Sequence, residues 1–315
     1  MTTRTAEQTD TSAPAPDHHP RRGGGRRREA LAGYGFALPF LALFFVFMLG
    51  PVIASFVMSF TDLRSSDVRN PLSVEPVGLQ NYADLLNDET FHQAAFNTAY
   101  FVLIGVPLTM VLALAVAVGL NTGITRLTAL FRVGYYLPVV TSIVAIAVVW
   151  RFLLEPNSGI INTLLGYIGV DGPSWLNDQT WALPSLIVMS AWRNMGYLVI
   201  IFLAGLQGVP TEMHEAAAID GAGAWSRFRY MTLPLMRPTL LFGGVVTMIG
   251  YLQFFEESFV MTQGGPLDKT LSVAYYTYNQ FGFGNYSYAA AMAYVLFVVI
   301  MIVTALQFRL LGDRD

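Results

Sequence analysis

Charge inside a long apolar stretch is costly and points to a task, and three such side chains stand out. Arg193, flanked by Trp192 and Asn194, is the tenth of the 23 residues from Pro184 to Leu206. Glu256 and Glu257 lie 17 and 18 residues beyond Thr239 in a second run, Thr239–Met261. On a continuous helix that places them roughly 25 Å along its axis, in its outer third. Gly250 and Gln253 join them at helical spacings of three and four, forming a polar strip. One reading is an internal Arg–Glu pair that fixes helix register. The other is a polar lining for a hydroxylated solute, with Trp192, Tyr251, Phe254 and Phe255 as stacking surfaces for sugar rings.

Other chemistry finds little material. Adjacent carboxylates at 256 and 257 point to different helix faces, which suits no general acid and base pair. The chain has no GxxxxGK[ST] phosphate loop, so ATP hydrolysis belongs elsewhere. Zero Cys excludes disulfides and thiol catalysis, while the few histidines are too scattered for a metal site.

The elements that must position these side chains are membrane spans. Of 315 residues, 54% are hydrophobic and 12% charged, a membrane composition. Six runs reach the length of about 20 residues needed to cross a bilayer. They are Tyr34–Phe60, Phe96–Leu120, Val133–Leu154, Pro184–Leu206, Thr239–Met261 and Ala289–Phe308. Pro51, Pro107 and Pro138 fall inside spans and predict kinks. Residues 1–30, polar and Arg-rich, read as a disordered cytoplasmic tail, followed by an uncleaved first span. The arginines orient the chain and can touch anionic lipid, and they do not suggest nucleic acid.

Six spans place both termini on one side. Counting the tail, residues 121–132, the Thr211 region and the C-terminus as cytoplasmic collects 13 arginines, against Arg64, Arg69 and Lys269 in the opposite loops. That asymmetry is a positive-inside pattern.

Between the fourth and fifth spans lies a polar island, Thr211–Pro238. Pro210 and Thr211 mark a helix start with the Thr211 hydroxyl as N-cap, and Glu212 and Glu215 suit its first turn. Gly221 or Gly223 ends the helix. A second short helix carries Trp225, Phe228 and Met231 or Thr232 on one side until Pro234 stops it. Glu215-Ala216-Ala217, then Asp220-Gly221, Met231 and Leu233-Pro234 resemble the EAA loop of binding-protein-dependent ABC importer permeases, with Met231 where the family usually carries Ile. The resemblance implies that the loop, residues 208–238, is a cytoplasmic coupling helix docked into an ATPase subunit through Glu215, Ala216, Ala217, Asp220, Gly221, Leu233 and Pro234.

The outer loops add to the resemblance. Val77-Gly78-Leu79-Gln80-Asn81-Tyr82 is similar to the "GLxNY" segment of sugar permeases, and residues 155–183 to their next outer loop, with Trp175 and Trp181 suited to an interfacial belt. Thr262-Gln263-Gly264-Gly265-Pro266 resembles the "TxGGP" segment of the first permease partner in carbohydrate importers. The implied protein is all-α and polytopic, with six transmembrane helices and a coupling loop, its permease domain spanning residues 31–315. It binds no cofactor, while ATP and Mg belong to two copies of a partner ATPase. The further implied partners are a second permease, an extracytoplasmic solute-binding protein, membrane lipid and a carbohydrate. The alternative is a secondary transporter that uses the intramembrane Glu or Arg for ion coupling. A membrane enzyme lacks catalytic groups, and an anchor needs only one span.

Overall fold

The computed structural model describes residues 24–69, 74–122 and 128–311. Most of the Arg-rich tail lies outside these residues. Among them the chain is helical, with an isolated bridge between Thr61 and Pro76 and no strand. The helices are α1 Gly24–Phe44, α2 Gly50–Met58, α3 Gln80–Leu85, α4 Glu89–Thr122 and α5 Thr128–Val140. Next come α6 Ile143–Leu153, α7 Ile160–Tyr167, α8 Ala182–Gln207, α9 Thr211–Ile219 and α10 Ala224–Arg227. The last are α11 Leu233–Leu235, α12 Arg237–Leu252, α13 Glu256–Met261, α14 Val273–Gly282 and α15 Tyr286–Leu311. Compactness divides the chain between Ala54 and Ser55.

In the first unit, α1 begins at Gly24, inside the segment expected to be tail. Arg, Glu, Ala and Leu there are good helix formers and extend the apolar helix backwards. A π-turn at Phe45–Leu49 joins α1 to α2.

Four helices are long and apolar enough to span a bilayer: Glu29–Met58, Glu89–Asn121, Ala182–Gln207 and Tyr286–Leu310. Two bent pairs raise the number to six if each is one span. Val133–Val140 turns through 109° into Ile143–Leu153, so the third expected span is not one rod. The bend sits at Thr141 and Ser142, just beyond Pro138, where Ser142 takes an extended ψ of 128°. The second pair joins Ala224–Leu235 to Arg237–Leu252 at 68°.

In the second unit, α4 and α8 form the scaffold. Phe101, Val102 and Val106 pack with Leu183, Leu186 and Ile187, and further along Ala113 and Ala117 meet Leu198, Phe202 and Leu206. In lipid the apolar surface of a helix gains nothing by leaving solvent. Close packing and interhelical hydrogen bonds therefore hold the bundle, each bond contributing about 0.6–2 kcal/mol. Thr109 on α4 meets the Tyr251 hydroxyl on α12 at 2.7 Å.

Several loops between the helices are tied down by side-chain hydrogen bonds. Asn97 Nδ2 donates to the Asp268 and Leu271 carbonyls at 2.7 and 2.9 Å, pinning the Thr262–Thr270 turn to α4. Asn81 donates to the Ser59 and Thr61 carbonyls, which closes the helix end after α2. The Trp175 indole donates to Asn162, and its ring meets Trp181 edge-on. Asp88 caps α4 through the Thr90 and Phe91 amides and accepts from the Tyr276 and Tyr288 hydroxyls at 2.7 Å. Burial opposes ionisation there, but those hydroxyls and amides outweigh it and hold the Asp88 carboxyl below the usual range.

Candidate functional site: a polar cavity and an exposed loop

The fifth expected span breaks at Gln253–Phe255. Gln253 and Phe254 turn their amides back to the Gly250 and Tyr251 carbonyls, ending α12, and Phe255 leaves helical geometry with φ −142°. At the break Phe254 enters the core, where it stacks on Phe101 at 4.0 Å. Glu256 and Glu257 therefore open a new helix instead of continuing a polar strip with Gly250. Glu256 is exposed, whereas Glu257 is buried and accepts from the Ser190 hydroxyl at 2.8 Å.

The break and the α5–α6 bend meet at one cavity of about 370 Å³. Arg193, Asn194, Tyr251, Gln253, Glu256 and Glu257 line it, with Val139 and Ile143 from either side of the bend. Trp192 does not; it packs against Trp150. Among the described residues no ion pair joins Arg193 to either carboxylate. Arg193 reaches the Asn194 side-chain oxygen at 3.4 Å, and its Nε is buried without a hydrogen-bond partner. The register-fixing Arg–Glu pair is thus not formed, and Glu257 accepts from Ser190.

The expected stacking surfaces are also spent elsewhere. Tyr251 and Phe254 are 4% and 3% exposed, Phe254 stacked on Phe101 and Tyr251 in a T-shaped contact with it. Phe255 packs with Phe259, Tyr275 and Tyr278. Tyr197, half-open on the cavity wall, has the accessible ring that the sequence reading missed. Ser190 and Thr247 were missed as well; polar residues inside apolar spans were the available signal.

The Thr211–Pro238 region is an exposed loop between α8 and α12. Pro210 is the cap residue of α9 and Thr211 its first helical residue, with no side-chain cap bond. Gly221, at φ +78°, ends the helix: its amide reaches the Ala218 carbonyl and that of Ala222 the Ala217 carbonyl. That pair of bonds is a Schellman closure. Arg227 Nη1 donates to the His214 carbonyl at 3.4 Å, folding α10 back on α9. Pro234 does not stop the second helix. A π-turn at Phe228–Thr232 carries the chain into α11, whose second residue is Pro234, and the bend comes at Met236. A proline in the first turn needs no amide donor there. Glu215, Ala216, Asp220, Gly221 and Pro234 are exposed, and Ala217 and Leu233 half-buried.

Bent apolar helices around a polar cavity, with an exposed helical loop at the end of the scaffold helix, define a polytopic membrane transport subunit. Residues 105–314 match the family model described as binding-protein-dependent transport system inner membrane component, and the chain belongs to that family. It is similar to the lactose transport system permease protein LacF of Rhizobium radiobacter, with 36% identity over 92% of this chain and 97% of that protein. The trehalose/maltose transport system permease protein MalF of Thermococcus litoralis is 30% identical over 90% of this chain and 94% of its own. Among solved structures, a bacterial ABC transporter involved in the import of the acidic polysaccharide alginate superposes with a TM-score of 0.73 at 25% identity, covering 92% of this chain and 99% of that one. The chain is a multi-pass transport subunit of the plasma membrane.

Proposed function

We propose that this chain is the membrane subunit of an ATP-driven importer for a carbohydrate, with the cavity between the broken helices as the solute path. The observation that carries the reading is the convergence of Arg193, Asn194, Gln253, Glu256 and Glu257 on one cavity. A hydroxylated solute has, on each oxygen, a donor for a carboxylate and an acceptor for a guanidinium or amide. The relatives named for lactose, trehalose/maltose and alginate support a saccharide.

The remaining parts of the machine follow from this reading. Six spans hold both termini in the cytoplasm, residues 31–315 act as the permease domain, and the 208–238 loop docks on an ATPase. Two ATPase copies bind ATP and Mg, a second permease completes the pathway, and an extracytoplasmic binding protein delivers the sugar. ATP-driven closure of the ATPases moves the loop, and the spans alternate access to the cavity.

Transport in reconstituted vesicles tests the path. Gln253→Ala and Glu257→Gln are expected to lower sugar uptake about tenfold or more, the effect of losing a hydrogen bond to a solute in a dry site, while the complex still assembles. Unchanged uptake in both overturns the cavity as the path. ATP hydrolysis that responds to no sugar-loaded binding protein overturns the carbohydrate. Uptake that survives ATPase inactivation and collapses with an ionophore establishes the ion-coupled alternative.

Orientation has its own test, because the chain has no cysteine. With Asp171→Cys, an impermeant maleimide is expected to label intact cells; with Ile219→Cys, only permeabilised ones. Both positions are exposed, so reversed labelling overturns the assignment of sides.

A further inference from the structure

The short helix α7, Ile160–Tyr167, distributes its side chains over three arcs. Ile161, Asn162 and Leu165 form the half-buried side that meets the protein, with Ile161 packed on the core that holds Phe101 and Leu186. Ile160, Leu164, Tyr167 and the following Ile168 fall within about 100° of one another and are between 58% and 82% exposed. Thr163 and Gly166 fill the remaining arc and are exposed too, the Thr163 hydroxyl turned back to the Gly159 carbonyl at 3.0 Å. No charged residue occurs from Pro156 to Val170. A loop helix in water hides its large apolar side chains inward. This helix presents them outside, beside a small polar arc, which is the pattern of a helix lying where lipid meets water.

Its height in the membrane is fixed by two tryptophans. The span α8 has 26 residues, and at about 1.5 Å per residue it is longer than the roughly 30 Å of hydrocarbon, so its cap residue Trp181 falls in the headgroup layer. The Trp175 ring meets Trp181 edge-on at 5.4 Å, and its indole donates to Asn162 on α7 at 2.6 Å. Asn162 in turn donates to the Pro156 carbonyl at 2.9 Å. This chain of contacts holds α7 at the level of Trp181.

We propose that α7 is an interfacial anchor, its Ile160, Leu164, Tyr167 and Ile168 arc sunk about 5–10 Å into the lipid surface at which α8 begins. Lipid suits this arc better than protein does. Membrane helices pack on one another through small residues, and the arc has only large ones. A docking partner that leaves after each cycle would return four large apolar side chains to water. The helix leading in, α6, exposes Val148, Val149 and Phe152, so the arc continues an apolar surface already presented by a bent span. The anchor holds the far end of α6. The turn joining them is folded by Glu155, whose Oε2 accepts from the Asn157 and Ser158 amides at 2.8 and 2.6 Å.

Single labels report the medium, because the chain has no cysteine. Leu164→Cys lies on the apolar arc and Gly166→Cys on the polar one, where a built Cβ meets nothing within 4 Å. Each carries a nitroxide, one at a time, in the assembled transporter in lipid nanodiscs. Power saturation measures collisions with oxygen, which concentrates in lipid, and with nickel ethylenediaminediacetate, which stays in water. The oxygen to nickel ratio is expected above one at residue 164 and below one at residue 166. Should Leu164→Cys fail to assemble, Tyr167→Cys on the same arc carries the test. A ratio below one at residue 164 places the arc in water and overturns the proposal. So does scarce collision with either reagent there, which would mean that a protein partner covers it.

Discussion

Gly221→Asp and Glu215→Lys are expected to leave the subunit in the membrane and abolish coupling, with uptake falling about tenfold or more and binding-protein-stimulated ATP hydrolysis returning to its basal rate. The two changes act differently. Gly221 sits at φ +78°, which costs an L side chain roughly 1–2 kcal/mol, and its amide and that of Ala222 make the two bonds that close α9. An aspartate there pushes the turn toward another geometry and misdirects α10, although a built Cβ meets no neighbour. The fault is conformational, not steric.

Glu215 is exposed and takes no part in holding the loop together among the described contacts, so its replacement tests surface chemistry. A carboxylate on this helix offers an ATPase guanidinium a bidentate partner, and lysine reverses the sign. Around it the loop exposes Ile219, Trp225 and Tyr230 at 87%, 72% and 75%. Aromatic side chains so exposed suit the centre of a protein interface. The measurements are ATP hydrolysis and uptake in vesicles holding the purified complex, with co-purification of the ATPase as the assembly readout. Wild-type stimulation and uptake in both variants would remove the loop from the coupling path.

Gly196→Leu is expected to destroy the fold of the cavity outright. Gly196 lies on α8 where α5 crosses it, and a Cβ there would fall on the Tyr135 carbonyl oxygen, with Val139 Cγ2 at 2.9 Å. The first obstacle is backbone, which cannot rotate aside as a flexible side chain can. Helices in lipid associate through such close approaches, so a leucine forces α5 away from α8 and takes the α5–α6 bend with it. That bend supplies Val139 and Ile143 to the cavity. The loss exceeds the roughly 1–3 kcal/mol of ordinary overpacking, because the contact has no room to relax. Thermal aggregation of the detergent-solubilised complex reads it. Gly119→Leu is the matched control, since a Cβ there meets nothing within 4 Å. Equal thermal midpoints for the two variants would show that α5 and α8 do not depend on this contact.

Several features were determined by the sequence alone. Long apolar runs can satisfy their backbone in lipid only as helices, so the all-α polytopic class follows from composition and run length. Gly221 as the end of α9 follows from chain stereochemistry, which is local. The membership of the family was carried by Glu215 to Pro234, a pattern of residues at fixed spacing. The charged trio Arg193, Glu256 and Glu257 was legible because charge inside an apolar run is rare.

What the trio does to its neighbours was decided by tertiary structure. Helical periodicity treated Thr239–Met261 as one rod and so placed Gly250, Gln253 and Glu257 on a strip. The rod breaks at Gln253–Phe255, where Phe254 stacks on Phe101, more than 150 positions away in the chain. Ser190 donates to Glu257 from a different helix, and Arg193 stands without the expected partner. Tyr251 turns its hydroxyl to Thr109 rather than its ring to a solute. The third span likewise bends at Thr141 and Ser142, where no residue type demands it beyond Pro138 nearby. At Gln253–Phe255, Glu257 and Tyr251 the outcome sets a local preference against a contact distant in sequence. Periodicity describes only the first.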